Sequence, residues 1–89
     1  MTITEARVAL FPEIRQFILD TFLFGQSEDS LGDDDSFLAT GIIDSTGILE
    51  VLGFLQTRYG VELTDKELVP ENLDSVNRIV SFVRHKLSA

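Results

Sequence analysis

Hydrophobic residues recur at helical spacing in the first part of the chain. Six of them form one stripe: Ala6, Leu10, Ile14, Phe17, Ile18 and Phe22. Apolar residues three or four positions apart predict an amphipathic helix. Thr2 and Glu5 can form a capping box at its start, and Gly25 should end it. Because Pro12 removes an amide donor from the middle of the helix, we expect a kink or a restart there.

Two later stretches predict two further long helices. The first of these runs from about Ser45 to Tyr59, and Gly60 can end it in a left-handed conformation. Its core stripe is predicted to be Ile48, Leu52, Leu55 and Tyr59. The last helix should be capped by Asp74 or Ser75. Its apolar face contains Val76, Ile79, Val80, Val83 and Leu87.

The segments between these helices predict a long loop and a short helix. Residues 26–43 contain many Asp, Ser and Gly residues, which argues against regular structure. Four apolar residues of this loop should still pack against the body: Phe37, Leu38, Ile42 and Ile43. Thr64 and Glu67 can form another capping box, which opens a short turn that Pro70 closes, and this predicts one short helix within 65–73. No stretch alternates long enough for a strand.

The pattern as a whole predicts an all-α fold. We expect one domain over residues 1–89, built as a four-helix bundle with three longer helices, one short helix and a long first loop of about 26–43. The chain has 89 residues, and a domain of that size has little wall for an enclosed pocket. We therefore expect a protein that is not itself an enzyme.

Composition removes several classes of site and location. The chain has no cysteine and one histidine, His85, so a disulfide framework, a thiolate zinc site and an imidazole-rich metal site are excluded. No stretch reaches the roughly 20 apolar residues of a membrane span, and the N-terminus lacks the positive region of a signal peptide. The sequence predicts a cytoplasmic protein.

The net charge of −8 is concentrated in one window of the chain. Between Gln16 and Gln56 there is no Lys or Arg. Eight acids lie there: Asp20, Glu28, Asp29, Asp33, Asp34, Asp35, Asp44 and Glu50. Such a charge repels nucleic acids and anionic membranes, so we expect neither as a partner. The window is either a solvated acidic segment or a docking surface for proteins with basic surfaces.

The densest chemical signal is the run Gly41-Ile42-Ile43-Asp44-Ser45-Thr46-Gly47. It delivers a serine to the start of an amphipathic helix. Helix N-termini present unpaired amides and a partial positive charge, so an anion attached to Ser45 would be stabilised there. The residues alone leave open the alternative that Asp44 or Ser45 is simply an N-cap.

This run, followed about thirty residues later by Pro70-Glu71-Asn72-Leu73-Asp74-Ser75, resembles the acyl carrier protein and peptidyl carrier protein family. The resemblance covers roughly residues 36–85 and implies an acyl-carrier-like bundle. It implies that Ser45, supported by Asp44, carries 4'-phosphopantetheine, which a magnesium-dependent phosphopantetheinyl transferase installs from coenzyme A. The thiol of this arm would hold acyl groups as thioesters.

The chain departs from the family pattern just after the serine. Thr46 stands where many members have leucine, Gly47 stands where they have an acid, and Glu50 is the only acid of the second long helix. The face of this helix opposite its core stripe is the predicted partner-docking surface, with the preceding acidic run. Its residues are Thr46, Leu49, Glu50 and Gly53, together with Asp33, Asp34 and Asp35. Packing of Gly53 against the first helix or the loop is the alternative.

The sequence thus predicts a stand-alone acyl carrier protein of fatty acid, polyketide or nonribosomal peptide biosynthesis. Its partners would be the transferase, a loading ligase and acceptor enzymes with basic surfaces, and we expect a monomer. Two alternatives stay open. One is an aminoacyl or peptidyl carrier protein loaded by an adenylating ligase. The other is an acidic helical adaptor that never carries the arm.

Two rival motifs fit poorly. Three aspartates have the spacing of positions 1, 3 and 12 of a calcium loop: Asp33, Asp35 and Asp44. Phe37 and Leu38, however, occupy the positions that need an oxygen ligand and a glycine, so we expect no metal site. A serine hydrolase would need glycine in place of Ile43. We interpret His85 as a surface residue near the end of the last helix.

Overall fold

Three long helices carry the fold of the chain. The computed structural model describes residues 3–23 and 31–88. Its long helices are α1 (Ile3–Phe22), α3 (Gly47–Tyr59) and α5 (Val76–Ser88), and its single-turn helices are α2 (Phe37–Thr40) and α4 (Pro70–Leu73), with a 3-10 turn at Asp65–Glu67. The described residues contain no strand. The predicted all-α fold, a small helical bundle, is confirmed.

Helix α1 runs unbroken through Pro12, so the predicted restart is wrong. Pro12 is exposed, whereas Leu10, two residues earlier, is fully buried. The burial of this apolar face offsets the one hydrogen bond that proline removes. The prediction for this helix also named residues that the structure does not describe, Thr2 and Gly25, and residues whose side chains it does not describe, Glu5 and Ala6.

The core lies where the three long helices face one another. Helix α1 packs against α5 and contributes Leu10, Ile14, Ile18 and Leu19. Helix α5 contributes Val76, Ile79, Val80 and Val83, with Leu87 half-buried at the edge. The predicted apolar face of α5 is therefore confirmed. No helix in the described ranges has both the length and the apolar character that crossing a membrane requires.

The buried face of α3 is broader than its predicted stripe. Of the four predicted residues, Leu52 and Leu55 are buried, but Ile48 and Tyr59 are only half-buried. The stripe missed Val51, whose side chain is 1% exposed. Val51 lies three residues after Ile48 and four before Leu55, so it shares their side of the helix. Gly60, at φ +69°, ends α3 in the predicted left-handed conformation.

Helix α2 lies inside the segment predicted as a loop. Ser36 caps it, with its hydroxyl accepting a hydrogen bond from the Ala39 amide at 3.1 Å, and Gly41 ends it at φ +77°. Phe37 is 1% exposed and anchors α2 in the core. A single turn of this kind depends on its anchor and its caps rather than on periodicity, which explains why the pattern did not reveal it.

The other three apolar residues of the loop differ in burial. Ile43 is buried and Ile42 is half-buried, as predicted. Leu38 is 56% exposed, so the prediction that it packs against the body is wrong. Its neighbour Phe37 takes the core position, and the helical turn directs the next side chain elsewhere.

The predicted short helix within 65–73 is two separate turns. Thr64 and Glu67 form the predicted capping box, with the Thr64 amide donating to Glu67 Oε1 at 2.9 Å. Pro70 begins α4 instead of closing the first turn, because its fixed φ suits the first helical position. Of the two predicted caps of α5, Ser75 serves: its Oγ accepts from the Arg78 amide at 3.1 Å.

Candidate functional site

Ser45 lies in the first turn leading into α3, and Asp44 holds that turn. The Asp44 carbonyl accepts from the Ile48 amide at 3.1 Å, and its Oδ1 accepts from the Gly47 amide at 2.6 Å. Thr46 already has helical dihedral angles. These contacts make Asp44 the capping residue. Ser45 is exposed, and its hydroxyl makes no hydrogen bond among the described residues.

Gly47 allows this turn to sit close to the core. A Cβ at Gly47 would lie 3.0 Å from Phe22 Cε1, 3.1 Å from Ile43 Cγ2 and 3.3 Å from Asp44 Oδ1. These distances are shorter than ordinary contacts, so a larger residue would displace its neighbours. Glycine at this position, where the carrier family pattern has an acid, therefore has a structural role.

An apolar groove of about 150 Å³ opens beside Ser45. Helix α2, the turn before α3 and residues 68–73 all contribute to its lining. The apolar residues that line it include Leu38, Ile43, Ile48, Leu68, Pro70 and Leu73, while Asp44, Ser45 and Asp74 supply its polar atoms. A cavity of about this volume holds a benzene-sized ligand. The groove therefore places a small apolar binding surface next to the serine hydroxyl.

The predicted docking face of α3 is exposed. Thr46, Leu49, Glu50 and Gly53 all face solvent, and Leu49 is 62% exposed. Gly53 is exposed, and a Cβ there would meet no atom of the described residues within 4 Å, so the alternative that Gly53 packs against α1 or the loop is wrong. Leu49 follows Ser45 by one helical turn, which puts an exposed apolar side chain on the serine's side of the helix.

Two of the three residues in the acidic run bind the loop to the helices, and the third makes a contact within the loop. Asp33 pairs with Arg15 of α1, with Oδ1 at 3.1 Å from Nε. Asp34 Oδ1 accepts from Asn77 Nδ2 of α5 at 2.8 Å. Asp35 Oδ2 accepts from the amide of Gly32 at 2.9 Å. None of the three carboxylates lines the groove beside Ser45.

The other singled-out polar residues lie apart from the serine. His85 is exposed near the end of α5 and lines a polar surface depression with Asp34 and Arg78. The aspartates with calcium-loop spacing bind different parts of the protein. Asp44 caps α3, and Asp33 pairs with Arg15 of α1. In the part of the chain that the structure describes, no three potential ligands among His, Cys, Asp and Glu are grouped to hold a metal ion.

A charged cluster that the hydrophobic pattern could not reveal joins α1 to α3. Glu13 accepts from Arg58 Nη2 at 2.5 Å, from Arg58 Nε at 3.2 Å and from the Tyr59 hydroxyl at 2.8 Å. The hydrogen bond from Arg58 holds the pKa of Glu13 below its ordinary value. Burial, together with the bond to Glu13, raises the pKa of Tyr59. The cluster links the two helices and is not part of the groove.

A second ion pair joins the 3-10 turn to α5. Glu67 Oε2 lies 3.0 Å from Lys86 Nζ. The hydrogen bond from the Thr64 amide, followed by that from Lys86, lowers the pKa of Glu67. Glu67 therefore serves both its capping box and the last helix.

Comparison with known proteins shows a likeness in structure. No family model matches the chain, and no curated protein matches it. One solved structure that it resembles is titled "Crystal structure of FAD-dependent dehydrogenase", with 27% sequence identity and a TM-score of 0.70. The match covers 79% of this chain and 97% of that chain, so the matched chain is no longer than this one.

Proposed function

We propose that the chain is a stand-alone carrier protein. Ser45 carries 4'-phosphopantetheine, and the thiol of that arm holds acyl groups as thioesters while they pass between partner enzymes. The observation that carries the proposal is the setting of Ser45: an exposed hydroxyl in the first turn of a long helix, next to an apolar groove. A tethered cargo needs both an attachment point that a partner can reach and a nearby surface compatible with apolar groups.

The start of α3 suits the phosphodiester of such an arm. The helix dipole favours negative charge at this end. Asp44 directs its carboxylate to the Gly47 amide, which fixes the turn that presents Ser45. In this proposal Asp44 supports the attachment site by positioning the serine.

The exposed apolar residues support partner docking around Ser45. In the described part of the chain the exposed large hydrophobic residues are Leu38, Leu49 and Leu68. Two of them line the groove, and the third lies one turn beyond the serine. Exposed apolar side chains gathered in one area mark interaction sites. The transferase, the loading ligase and the acceptor enzymes would contact this area, including Thr46, Glu50 and Gly53.

Modification with coenzyme A tests the attachment site. Wild-type protein, Ser45→Ala and the control Ser81→Ala, which removes an exposed hydroxyl of α5, are incubated with magnesium and a broad-specificity phosphopantetheinyl transferase. Intact-mass measurement should show one arm on the wild type and on Ser81→Ala, and none on Ser45→Ala. An arm on Ser45→Ala would move the site elsewhere, and an unmodified wild type would favour the acidic adaptor.

An aminoacyl or peptidyl carrier protein is the alternative within the same chemistry. The observation that favours it is the low acidity of α3, whose one acid is Glu50. Mass analysis of the cargo hydrolysed from protein purified from its own host distinguishes the two. A carboxylic acid without an amino group supports the acyl carrier, and an amino acid or peptide supports the alternative.

The name of the structural neighbour raises a dehydrogenase as a candidate of another class. Dinucleotide cofactors commonly bind where a strand meets a glycine-rich turn and a helix, and the described residues form helices and no strand. A matched chain no longer than this one is also small for enclosing both a flavin and a substrate. Visible absorbance of the purified protein tests the candidate: a retained flavin band would favour it over the carrier.

A further inference from the structure

One residue connects two of the helices that line the groove beside Ser45. The carboxylate of Asp74 accepts hydrogen bonds from Ser36 Oγ and from the Leu38 amide, the latter at 3.1 Å. Its carbonyl accepts from the Phe37 amide at 2.9 Å. Its own amide donates to the Pro70 carbonyl at 3.0 Å, which closes α4. Asp74 thus receives three donors from the start of α2 while it ends α4.

Both of these helices line the groove. Helix α2 contributes Leu38 to its lining, and α4 contributes Pro70 and Leu73. Each helix is a single turn of four residues, and a helix of that length is not stable on its own. Their separation therefore depends on what joins them. Phe37 and Leu73 anchor them in the core, and Asp74 joins them at the groove itself.

We propose that Asp74 is a positioning residue that sets the width of this groove, and thereby the size of the apolar group that it accepts. The occupant is the aliphatic end of the cargo, an assignment that rests on the carrier function proposed above. A volume of about 150 Å³ corresponds to a group of about six carbon atoms. A longer chain extends into solvent and gains no further contact with the groove.

Binding of linear alcohols to the unmodified protein tests the proposal. 1-Butanol, 1-hexanol and 1-octanol are titrated against the wild type, and affinity is read from the methyl NMR shifts of Leu38, Ile48 and Leu68. Each added methylene that the groove covers should strengthen binding about fourfold. For the wild type we expect the affinity to rise by this factor per methylene from butanol to hexanol and to stay level from hexanol to octanol. The alcohol length at which the affinity stops rising is the levelling point.

Two variants of Asp74 separate positioning from general stability. Asp74→Ala removes both side-chain acceptors, so α2 can move away from α4, and the gain should continue to octanol. Asp74→Asn keeps an acceptor for the Leu38 amide and a polar partner for Ser36, so the wild-type levelling should return. Melting temperatures are measured alongside. A purely structural role would lower the melting temperature of Asp74→Ala and leave the levelling point unchanged, which would overturn the proposal.

If Asp74→Ala does not fold, a milder variant tests the same proposal. Ser36→Gly removes one donor to the carboxylate and leaves a residue that is tolerated as a cap. It should shift the levelling point in the same direction by a smaller amount, and an unchanged point would contradict the proposal. A wild type that binds none of the alcohols would also contradict it. Because the test needs no modified Ser45, its result is independent of whether the arm attaches.

Discussion

At the scale of single residues, the turn at the start of α3 contains one residue that stabilises the helix and a neighbouring residue that does not. Asp44 caps the helix, whereas Ser45 makes no hydrogen bond in the described structure. Loss of the Asp44 carboxylate should therefore cost the roughly 1 kcal/mol of a helix cap, and loss of the Ser45 hydroxyl should cost little. Substitution of Ser45 can thus remove the proposed attachment site while the fold remains intact.

Two glycines of α3 should respond in opposite ways to alanine. Gly53→Ala places its Cβ in open space, so the better helix propensity of alanine should raise the free energy of unfolding by up to about 1 kcal/mol. Gly47→Ala places its Cβ 3.0 Å from Phe22 Cε1, and the crowding should cancel that gain. Urea denaturation should find Gly47→Ala about 1–2 kcal/mol less stable than Gly53→Ala.

The comparison of these two variants is its own control, because both make the same change within one helix. Equal stability of the two variants would mean that Phe22 and Ile43 yield without cost. The close approach at Gly47 would then not explain why glycine occupies that position.

At the scale of helices, the sequence predicts the features that depend on residues close together in the chain. The cap and apolar face of α5 follow from residues adjacent in the chain, and they were predictable. Helix α2 was not, because its amides bond to Asp74, about 36 residues away. The same holds for the groove, whose sides come from separate segments. The motif around Ser45 was visible, but the aspartates' attachments to Arg15 and Asn77 depend on tertiary packing.

The Glu13 cluster predicts how the α1–α3 contact responds to acid. The pKa of Glu13 in the folded state lies below its ordinary value of 4.5. The contribution of this carboxylate to stability is therefore complete above pH 4.5 and is lost as the pH falls through the folded-state pKa. Urea denaturation between neutral pH and pH 3 should show a smaller acid loss for Glu13→Gln than for the wild type.

Glu67 provides a comparison because its pKa is lowered as well. Glu67→Gln should also reduce the acid loss, and the double variant should reduce it further, since the two carboxylates join different helices. An acid loss in Glu13→Gln as large as in the wild type would show that the Arg58 pair does not stabilise the fold.

At the scale of the whole molecule, the acidic run has a structural role in the fold and a proposed role in docking partners. Asp33 pairs with Arg15, and its carboxylate is 44% exposed. Asp34 and Asp35 are exposed and accept hydrogen bonds from uncharged groups. Asparagine at these last two positions would keep a carbonyl acceptor and remove the charge. The two roles can therefore be separated by experiment.

Association with the phosphopantetheinyl transferase should weaken as salt shortens the Debye length below about 10 Å. In the double variant Asp34→Asn, Asp35→Asn this dependence should be shallower, with an unchanged melting temperature. The control is Glu62→Gln, Asp65→Asn, which removes the same charge from exposed positions outside the acidic window. Equal slopes for both variants would mean that net charge matters and that the acidic run has no docking role.

Helix α3 has one side that packs into the core and another side that faces solvent. Val51, Leu52 and Leu55 are buried, while Leu49 and Gly53 are exposed and have no part in the core. Changes on the outward side carry little folding cost, so that side can diverge freely among descendants of this chain. If this side docks partners as proposed, new specificity can be engineered by substituting a few outward positions on an unchanged scaffold.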